Sequence, residues 1–229
     1  MSDRIGVLIV DDERLFAELM RLALSAAPGI DVLDVVHDVA TATRRARELR
    51  PALVLSDYHL PDGTGADVAR ALRGTQTAVL ILTGDGTAAI LSDVARSGAV
   101  GHMTKGKQFE EVVQSVRAAA AGEVLFAPSE LQRLLLADEP GRQLTEPLTA
   151  RELDVLRLLA AGMSTSAAAG ELGISTATLR AHVQAILRKL SAHSRLEAVA
   201  EAARLGLVTL DAWTRKAAAA PGAELARVR

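Results

Sequence analysis

Asp11 and Asp12 stand together after an apolar run, Asp57 stands after another, Thr83 ends a third and Lys105 follows a fourth. Three carboxylates brought within a few ångströms of one another repel strongly and need a cation. An all-oxygen set with open positions suits Mg²⁺, or Mn²⁺, which keeps waters and bridges to phosphate oxygens. A hydroxyl and an ammonium facing such a cluster could bind the remaining oxygens of a transferred phosphoryl group. The chemistry would be phosphoryl transfer catalysed mainly by positioning and charge neutralisation. Taken singly, each residue has a plainer role: an Asp after a strand is commonly a turn or cap residue, and a lone Lys a surface charge. Their joint occurrence at four strand ends is what points to a site.

Those residues converge only if the intervening chain forms a parallel sheet. Up to about residue 121, apolar runs (Ile5–Val10, Val32–Val36, Ala52–Ser56, Ala78–Leu82, Val100–Met103) alternate with amphipathic stretches near 14–26, 39–49, 64–73, 87–97 and 108–121. Short, near-continuous apolar runs suit strands buried on both faces. Alternation with helices of this length predicts βαβ units and a three-layer α/β domain whose strand carboxyl ends line one edge.

Residues 122–147, holding Pro128, Pro140, Gly141 and Pro147 with an acidic excess around a leucine-rich piece (Ser129–Ala137), read as an interdomain linker. From 148 to 208 every segment is helical, with helices expected at about 150–161, 165–172, 176–190 and 195–205. Thr149–Glu152 and Ser194–Glu197 match the capping box. Residues 209–229, Ala-rich with Pro221 and Gly222, are expected to be a disordered tail.

Within the helical domain, Ser164–Leu190 has the layout of two helices joined by a tight turn at Gly173–Ile174. Leu179, Val183, Ile186, Leu187 and Leu190 form an inward apolar stripe. The opposite side carries Arg180, Ala181, Gln184 and Arg188. Arg and Gln can make bidentate bonds to guanine and adenine edges in a major groove, and Ala181 permits close approach. Exposed arginines on a helix are often merely solvated, so periodicity alone leaves DNA binding open.

Charge fits such a partner weakly. Residues 1–121 hold 13 basic against 16 acidic side chains, and residues 148–208 hold 7 against 5. The second domain alone is basic, as a polyanion partner requires. The chain has no cysteine, which excludes disulfides, thiolate zinc sites and cysteine nucleophiles. It has no apolar run near the roughly 20 residues that span a bilayer and no secretory layout at its start. A cytoplasmic protein with no membrane partner is expected.

The segments LIVDDE (8–13), LVLSDYHLPDGTG (53–65), VLILTG (79–84) and GAVGHMTKG (98–106) resemble the receiver domain of two-component response regulators. The resemblance implies a flavodoxin-like (βα)5 fold with a five-stranded parallel sheet and Asp57 as phosphoacceptor. It implies that Asp12, Asp57 and the backbone carbonyl of His59 hold Mg²⁺ directly, with Asp11 acting through a water. Thr83 would bond one phosphoryl oxygen and Lys105 another, the donor being a histidine kinase. The receiver's own phosphorylation and dephosphorylation would be its only catalysis. His102 occupies a position that is often aromatic in the family and rotates inward with Thr83. It either switches rotamer in the same way or is a half-buried packing residue.

The segments 148–164 (LTARELDVLRLLAAGMS) and 171–199 (ELGISTATLRAHVQAILRKLSAHSRLEAV) are similar to the LuxR-type (NarL/FixJ) helix-turn-helix domain, an all-α four-helix module. The implied base-proximal residues are Arg180, Ala181 and Gln184, with Lys189 and Arg195 as phosphate contacts on promoter DNA. The last helix offers Leu196, Val199, Ala200 and Ala203 to a homodimer contact. At 165–170 (TSAAAG) the family's usual base and larger aliphatic residue are missing, so modest, salt-sensitive affinity per domain is expected. Two other classes stay open: a Mg²⁺-dependent phosphatase with Asp57 as nucleophile and His59 as acid, and a module whose four helices bind protein instead of DNA.

Overall fold

The apolar runs pair side by side as a parallel sheet. The structure, a computed structural model, describes residues 4–84, 86–126 and 144–209. They fall into two compact units, one ending at Leu125 and the other beginning at Phe126. The leucine-rich piece at 129–137 and the tail beyond Thr209 lie outside the described residues. No described helix is long and apolar enough to cross a membrane.

The first unit runs β1 (Ile5–Val10), α1 (Arg14–Ala26), β2 (Ile30–Val36), α2 (Val39–Leu49), β3 (Leu53–Asp57), two short strands β4 (His59–Leu60) and β5 (Gly63–Thr64), α3 (Gly65–Ala71), β6 (Ala78–Thr83), α4 (Ala88–Ser97), β7 (Gly101–Thr104) and α5 (Phe109–Ala120). The five long strands lie in the order β2-β1-β3-β6-β7, every neighbouring pair parallel. This is the flavodoxin-like arrangement, with the order reversing between β1 and β3. Side chains alternate across each strand. Val7, Ile9, Leu53, Leu55, Leu80 and Leu82 therefore share one face with Ala17 and Leu24 of α1 and Val112 and Val116 of α5. Leu8, Val54 and Ile81 are buried on the other.

Several bounds differ from the sequence pattern. β2 begins at Ile30 because Ile30 and Asp31 pair with Ile5 and Gly6 despite the polar residue. Asp57 is the last residue of β3, still paired with Leu82, rather than the first of a loop. The helical stretch at 64–73 shortens to α3, capped by Thr64 before it and turned by Gly74 at φ +78° after it. At the far end, Leu125 bridges Gly101 and accepts no gap between chain and sheet: its amide donates to Val100 at 2.8 Å.

The second unit is four helices, α6 (Ala150–Ala160), α7 (Thr165–Glu171), α8 (Thr176–Lys189) and α9 (Arg195–Arg204). Each starts at a hydroxyl cap: Thr149, Ser164, Ser175 and Ser194 accept from the amides of Glu152, Ala167, Thr178 and Glu197. The first box closes both ways, Glu152 accepting from the Thr149 amide at 2.7 Å. At α9, Glu197 reaches one residue further back, to the His193 amide at 2.6 Å. Val155, Leu156 and Leu159 of α6 meet Leu179, Val183 and Ile186 of α8 in the core. Gly173 turns the chain between α7 and α8 at φ +63°, a backbone state that favours glycine.

Gly170 differs from Gly173. It lies inside α7, is exposed, and a Cβ added there would meet nothing within 4 Å. Gly170→Ala should therefore stabilise this unit by about 1 kcal/mol, seen as a later urea midpoint at unchanged slope; an earlier midpoint would contradict it.

Candidate functional site

The parallel sheet delivers the carboxyl ends of β1, β3, β6 and β7 to one edge, beside the point where strand order reverses. Asp11, Asp12, Asp57, Thr83 and Lys105 meet there, as their spacing requires. Asp11, Asp57 and Thr83 are buried, Asp12 is exposed and Lys105 is half-buried. Carboxylate oxygens of Asp11, Asp12 and Asp57 lie within 4.8 Å of one another.

Lys105 closes the cluster. Its Nζ lies 3.0 Å from Asp11 Oδ2, 3.2 Å from Asp57 Oδ2 and 2.9 Å from Glu13 Oε1. Burial opposes the charge on this ammonium, yet the contacts with Glu13 and Asp11 and the field of Asp11 and Asp57 outweigh it and raise its pKa. Burial pushes the Asp11 carboxyl up despite the Lys105 and Glu13 contacts. The Phe16 ring lies under the ammonium, 4.7 Å from centroid to Nζ, a cation–π contact.

The two buried carboxylates each have one oxygen committed to a backbone amide and one beside Lys105. Asp11 Oδ1 accepts from the Glu13 amide at 2.9 Å, and Asp57 Oδ1 from the Tyr58 amide at 2.8 Å. Asp11 Oδ2 is buried and, although ion-paired with Lys105, accepts no aligned hydrogen bond. An oxygen-only donor set with such an under-satisfied inward oxygen fits Mg²⁺ or Mn²⁺.

The loop after Asp57 is pinned at several points. β4 and β5 pair His59 with Thr64, which fixes the backbone at His59, while its side chain is exposed. Asp62 caps α2 from outside, accepting from Val39 at 2.7 Å and Ala40 at 3.0 Å. Gly65 packs so tightly under Asp57 that a Cβ would lie 2.3 Å from the Asp57 carbonyl oxygen and 2.9 Å from Ser56 Oγ. Backbone, not a flexible side chain, would have to move. Gly65→Ala should thus cost about 1–3 kcal/mol of stability as overpacking does, and shift Asp57. A thermal midpoint equal to wild type would contradict this.

Thr83 pairs with Thr104 in register, and its carbonyl accepts from the Lys105 amide at 3.0 Å, so hydroxyl and ammonium are held as one unit. His102 is half-buried on β7, opposite Ile81.

Glu13, Phe16, Tyr58 and Gly65 were not singled out in the sequence. Glu13 was signalled only by adjacency to the acidic pair. The roles of Phe16, Tyr58 and Gly65 depend on contacts that spacing does not carry.

In the helical unit, Ala181, Gln184 and Arg188 are exposed along α8 and Arg180 is half-buried. Leu179, Val183, Ile186 and Leu190 turn inward, with Leu187 half-buried. Arg195 is half-buried too; burial and the like charge of Arg180 push its pKa down to about 10, so it is still a cation at neutral pH.

Two expectations are corrected here. Lys189 is not a surface cation: its Nζ is buried, 2.8 Å from Glu152 Oε2 and 3.0 Å from the Pro147 carbonyl. It sits three residues after Ile186, on the edge of the apolar stripe, and a carboxylate from α6 meets it there. It is therefore unavailable to a phosphate. Leu196, Val199 and Ala200 are already buried within the chain and Ala203 is half-buried, because α9 packs on α6 and α8. They are not an open face in this conformation.

Comparison with known proteins adds the following. Residues 7–117 match the family model described as the response regulator receiver domain, and residues 146–202 match that of bacterial regulatory proteins of the luxR family. The chain is similar to the transcriptional regulatory protein YxjL of Bacillus subtilis (strain 168), 31% identical over 90% of this chain and 99% of that one. It is also similar to a transcriptional regulatory protein NarL of Mycobacterium tuberculosis, 35% identical over 90% and 97% of the respective chains. Among solved structures, the receiver domain of the M. tuberculosis NarL response regulator aligns with TM-score 0.51 and 31% identity, covering 52% of this chain and 98% of that one. A LuxR-family two-component response regulator from Aurantimonas sp. SI85-9A1 aligns with TM-score 0.52 and 29% identity, over 56% and 94%.

Proposed function

Because this chain belongs to the two-component response regulators that join a receiver domain to a LuxR-type DNA-binding domain, we propose that Asp57 accepts a phosphoryl group from a histidine kinase and that α8 reads promoter DNA. The observation that carries it is Asp57 Oδ2, facing the cleft 3.2 Å from the Lys105 ammonium while Oδ1 is held by the Tyr58 amide.

The chemistry follows from these positions. Asp57 Oδ2 attacks phosphorus in line as the donor's P–N bond breaks, and the proton needed by the departing imidazole stays with the donor. Lys105 pairs with one phosphoryl oxygen, exchanging its hold on Asp57 for the new group. Thr83 offers its hydroxyl to another. Asp12, Asp57 and the His59 carbonyl would hold Mg²⁺, with Asp11 behind them; when bound, the ion neutralises the carboxylates and the phosphoryl oxygens.

A protein donor is favoured by the surface next to the cleft. Leu15, Leu19 and Leu22, at i, i+4 and i+7 on α1, are 77%, 57% and 54% exposed. Three large apolar side chains in one stripe mark a binding face rather than chance exposure.

For DNA, Arg180, Ala181, Gln184 and Arg188 form the reading surface, with Arg195 as a phosphate contact. Binding paired half-sites takes two copies, and a homodimer through α9 requires a conformation that uncovers Leu196, Val199 and Ala200. The test is a low-salt gel shift on duplexes selected by wild type from a random pool. Arg180→Ala and Gln184→Ala should each weaken binding by about 1–3 kcal/mol, the worth of a bidentate base contact. Wild-type affinity in both variants would overturn the assigned surface.

A further inference from the structure

We propose that Tyr58 is a positioning residue that fastens the phosphoacceptor Asp57 to α4 through Asp93, making α4 the element that senses the state of the cleft. This rests on Asp57 as the phosphorylated residue. It names a route out of the cleft that neither His102 nor Thr83 supplies.

Tyr58 is the single tyrosine of the chain. Its main chain is held on three sides: the amide donates to Asp57 Oδ1 at 2.8 Å and lies 2.8 Å from the Leu82 carbonyl, and its own carbonyl accepts from Gly65 at 2.9 Å. Asp57 cannot change its oxygen contacts without disturbing this peptide. The ring is buried, and the phenol donates to Asp93 Oδ2 at 3.0 Å. Asp93 lies at the middle of α4. Its other oxygen accepts from Arg70 of α3, and Arg70 also holds Asp67 at 2.6 Å. Asp67 in turn closes the cap of α3 on Thr64 at 2.9 Å. Burial, and next the Asp93 carboxylate, raise the phenol's pKa, so it stays a donor at neutral pH.

Packing explains why α4 would respond. Its fully buried residues, Val94, Ala95 and Ser97, are confined to the C-terminal half, and residues 88–92 are exposed or half-buried. The C-terminal end is tied down, Arg73 donating to the carbonyls of Arg96 at 2.7 Å and Ser97 at 2.9 Å. A helix anchored by its core at one end and by polar contacts near its middle has low local stability at the other end. The Tyr58–Asp93 bond sits where these halves meet, so a small shift beside Asp57 can tilt the free half.

The test is amide hydrogen exchange on the full chain, with and without Mg²⁺ and beryllium fluoride as a phosphoryl mimic. In wild type, exchange should change at residues 57–60 and at 88–93. Tyr58→Phe removes only the phenol oxygen. It should keep the response at 57–60, lose it at 88–93, and speed exchange at 88–93 roughly three- to tenfold before the mimic is added, the scale of one ordinary net hydrogen bond. Asp93→Ala, which also removes the Arg70 contact, should lose the 88–93 response too, and the double variant should go no further than Asp93→Ala alone, with α1 and α5 unaltered throughout. A Tyr58→Phe chain whose α4 responds as wild type overturns the proposal, as does a wild type that responds at 57–60 but not at α4. No wild-type response at 57–60 would instead remove the assignment of Asp57, and the coupling with it.

Discussion

Asp57→Asn should reduce phosphoryl uptake from acetyl phosphate with Mg²⁺ to background, and chelation of Mg²⁺ should do the same to wild type. The amide keeps the shape of the carboxylate and can still accept from the Tyr58 amide, so the fold should persist. It lacks a nucleophilic oxygen anion and a full charge for a cation, and no other carboxylate can replace it. Asp11 is buried with one oxygen committed to Glu13, and Asp12 is exposed rather than aimed by a neighbouring amide. Lys105→Ala should be the milder companion. It removes the ammonium that spans Asp11, Glu13 and Asp57 at 2.9–3.2 Å but leaves the attacking oxygen. Residual label in Asp57→Asn equal to wild type would refute the assignment.

Lys189→Ala should destabilise the helical unit by about 3–5 kcal/mol, the cost of stranding one partner of a buried ion pair. Glu152 would keep only its Thr149 contacts, and the Pro147 carbonyl would lose its donor. The pair also depends on pH. Burial raises the Glu152 pKa, but the Lys189 ammonium and the Thr149 bonds more than reverse this and hold the carboxyl below its usual range. A depressed folded-state value stabilises the fold above the unfolded carboxylate pKa, near 4.3. That contribution fades as pH falls through the folded value. Urea titrations of wild type and Lys189→Ala should therefore converge in acid and diverge toward neutrality. Below the melting range, Lys189→Ala should keep the wild-type salt dependence of DNA binding, since a buried ammonium meets no phosphate. A slope smaller by about one contact would restore Lys189 to the DNA surface.

The contrast between Asp57 and Lys189 marks what the amino-acid pattern carries. Alternating apolar runs and helices place Asp11, Asp57, Thr83 and Lys105 at one sheet edge without knowledge of any contact, because parallel strands leave no other edge for their carboxyl ends. The inward stripe of α8 and the outward Ala181, Gln184 and Arg188 follow from periodicity in the same way. The pattern does not reach Lys189, because its partner, Glu152, lies 37 residues earlier on another helix, and a basic residue beside Arg188 gives no local sign of that pairing. Glu13 on Lys105, the ring of Phe16 beneath it and the Tyr58–Asp93–Arg70 chain are likewise long-range polar contacts that spacing cannot register. On α9, the spacing of Leu196, Val199 and Ala200 suits a contact with a second copy as well as one within the chain, and the packing of α9 on α6 and α8 covers all three.

The most direct measurement is the location of the phosphoryl group itself. Wild-type protein treated with acetyl phosphate and Mg²⁺, digested and mapped by mass spectrometry, should carry one phosphoryl group, on the peptide containing Asp57, labile as an acyl phosphate is. A stable group on a serine, threonine or histidine, or no modification at all, would contradict it.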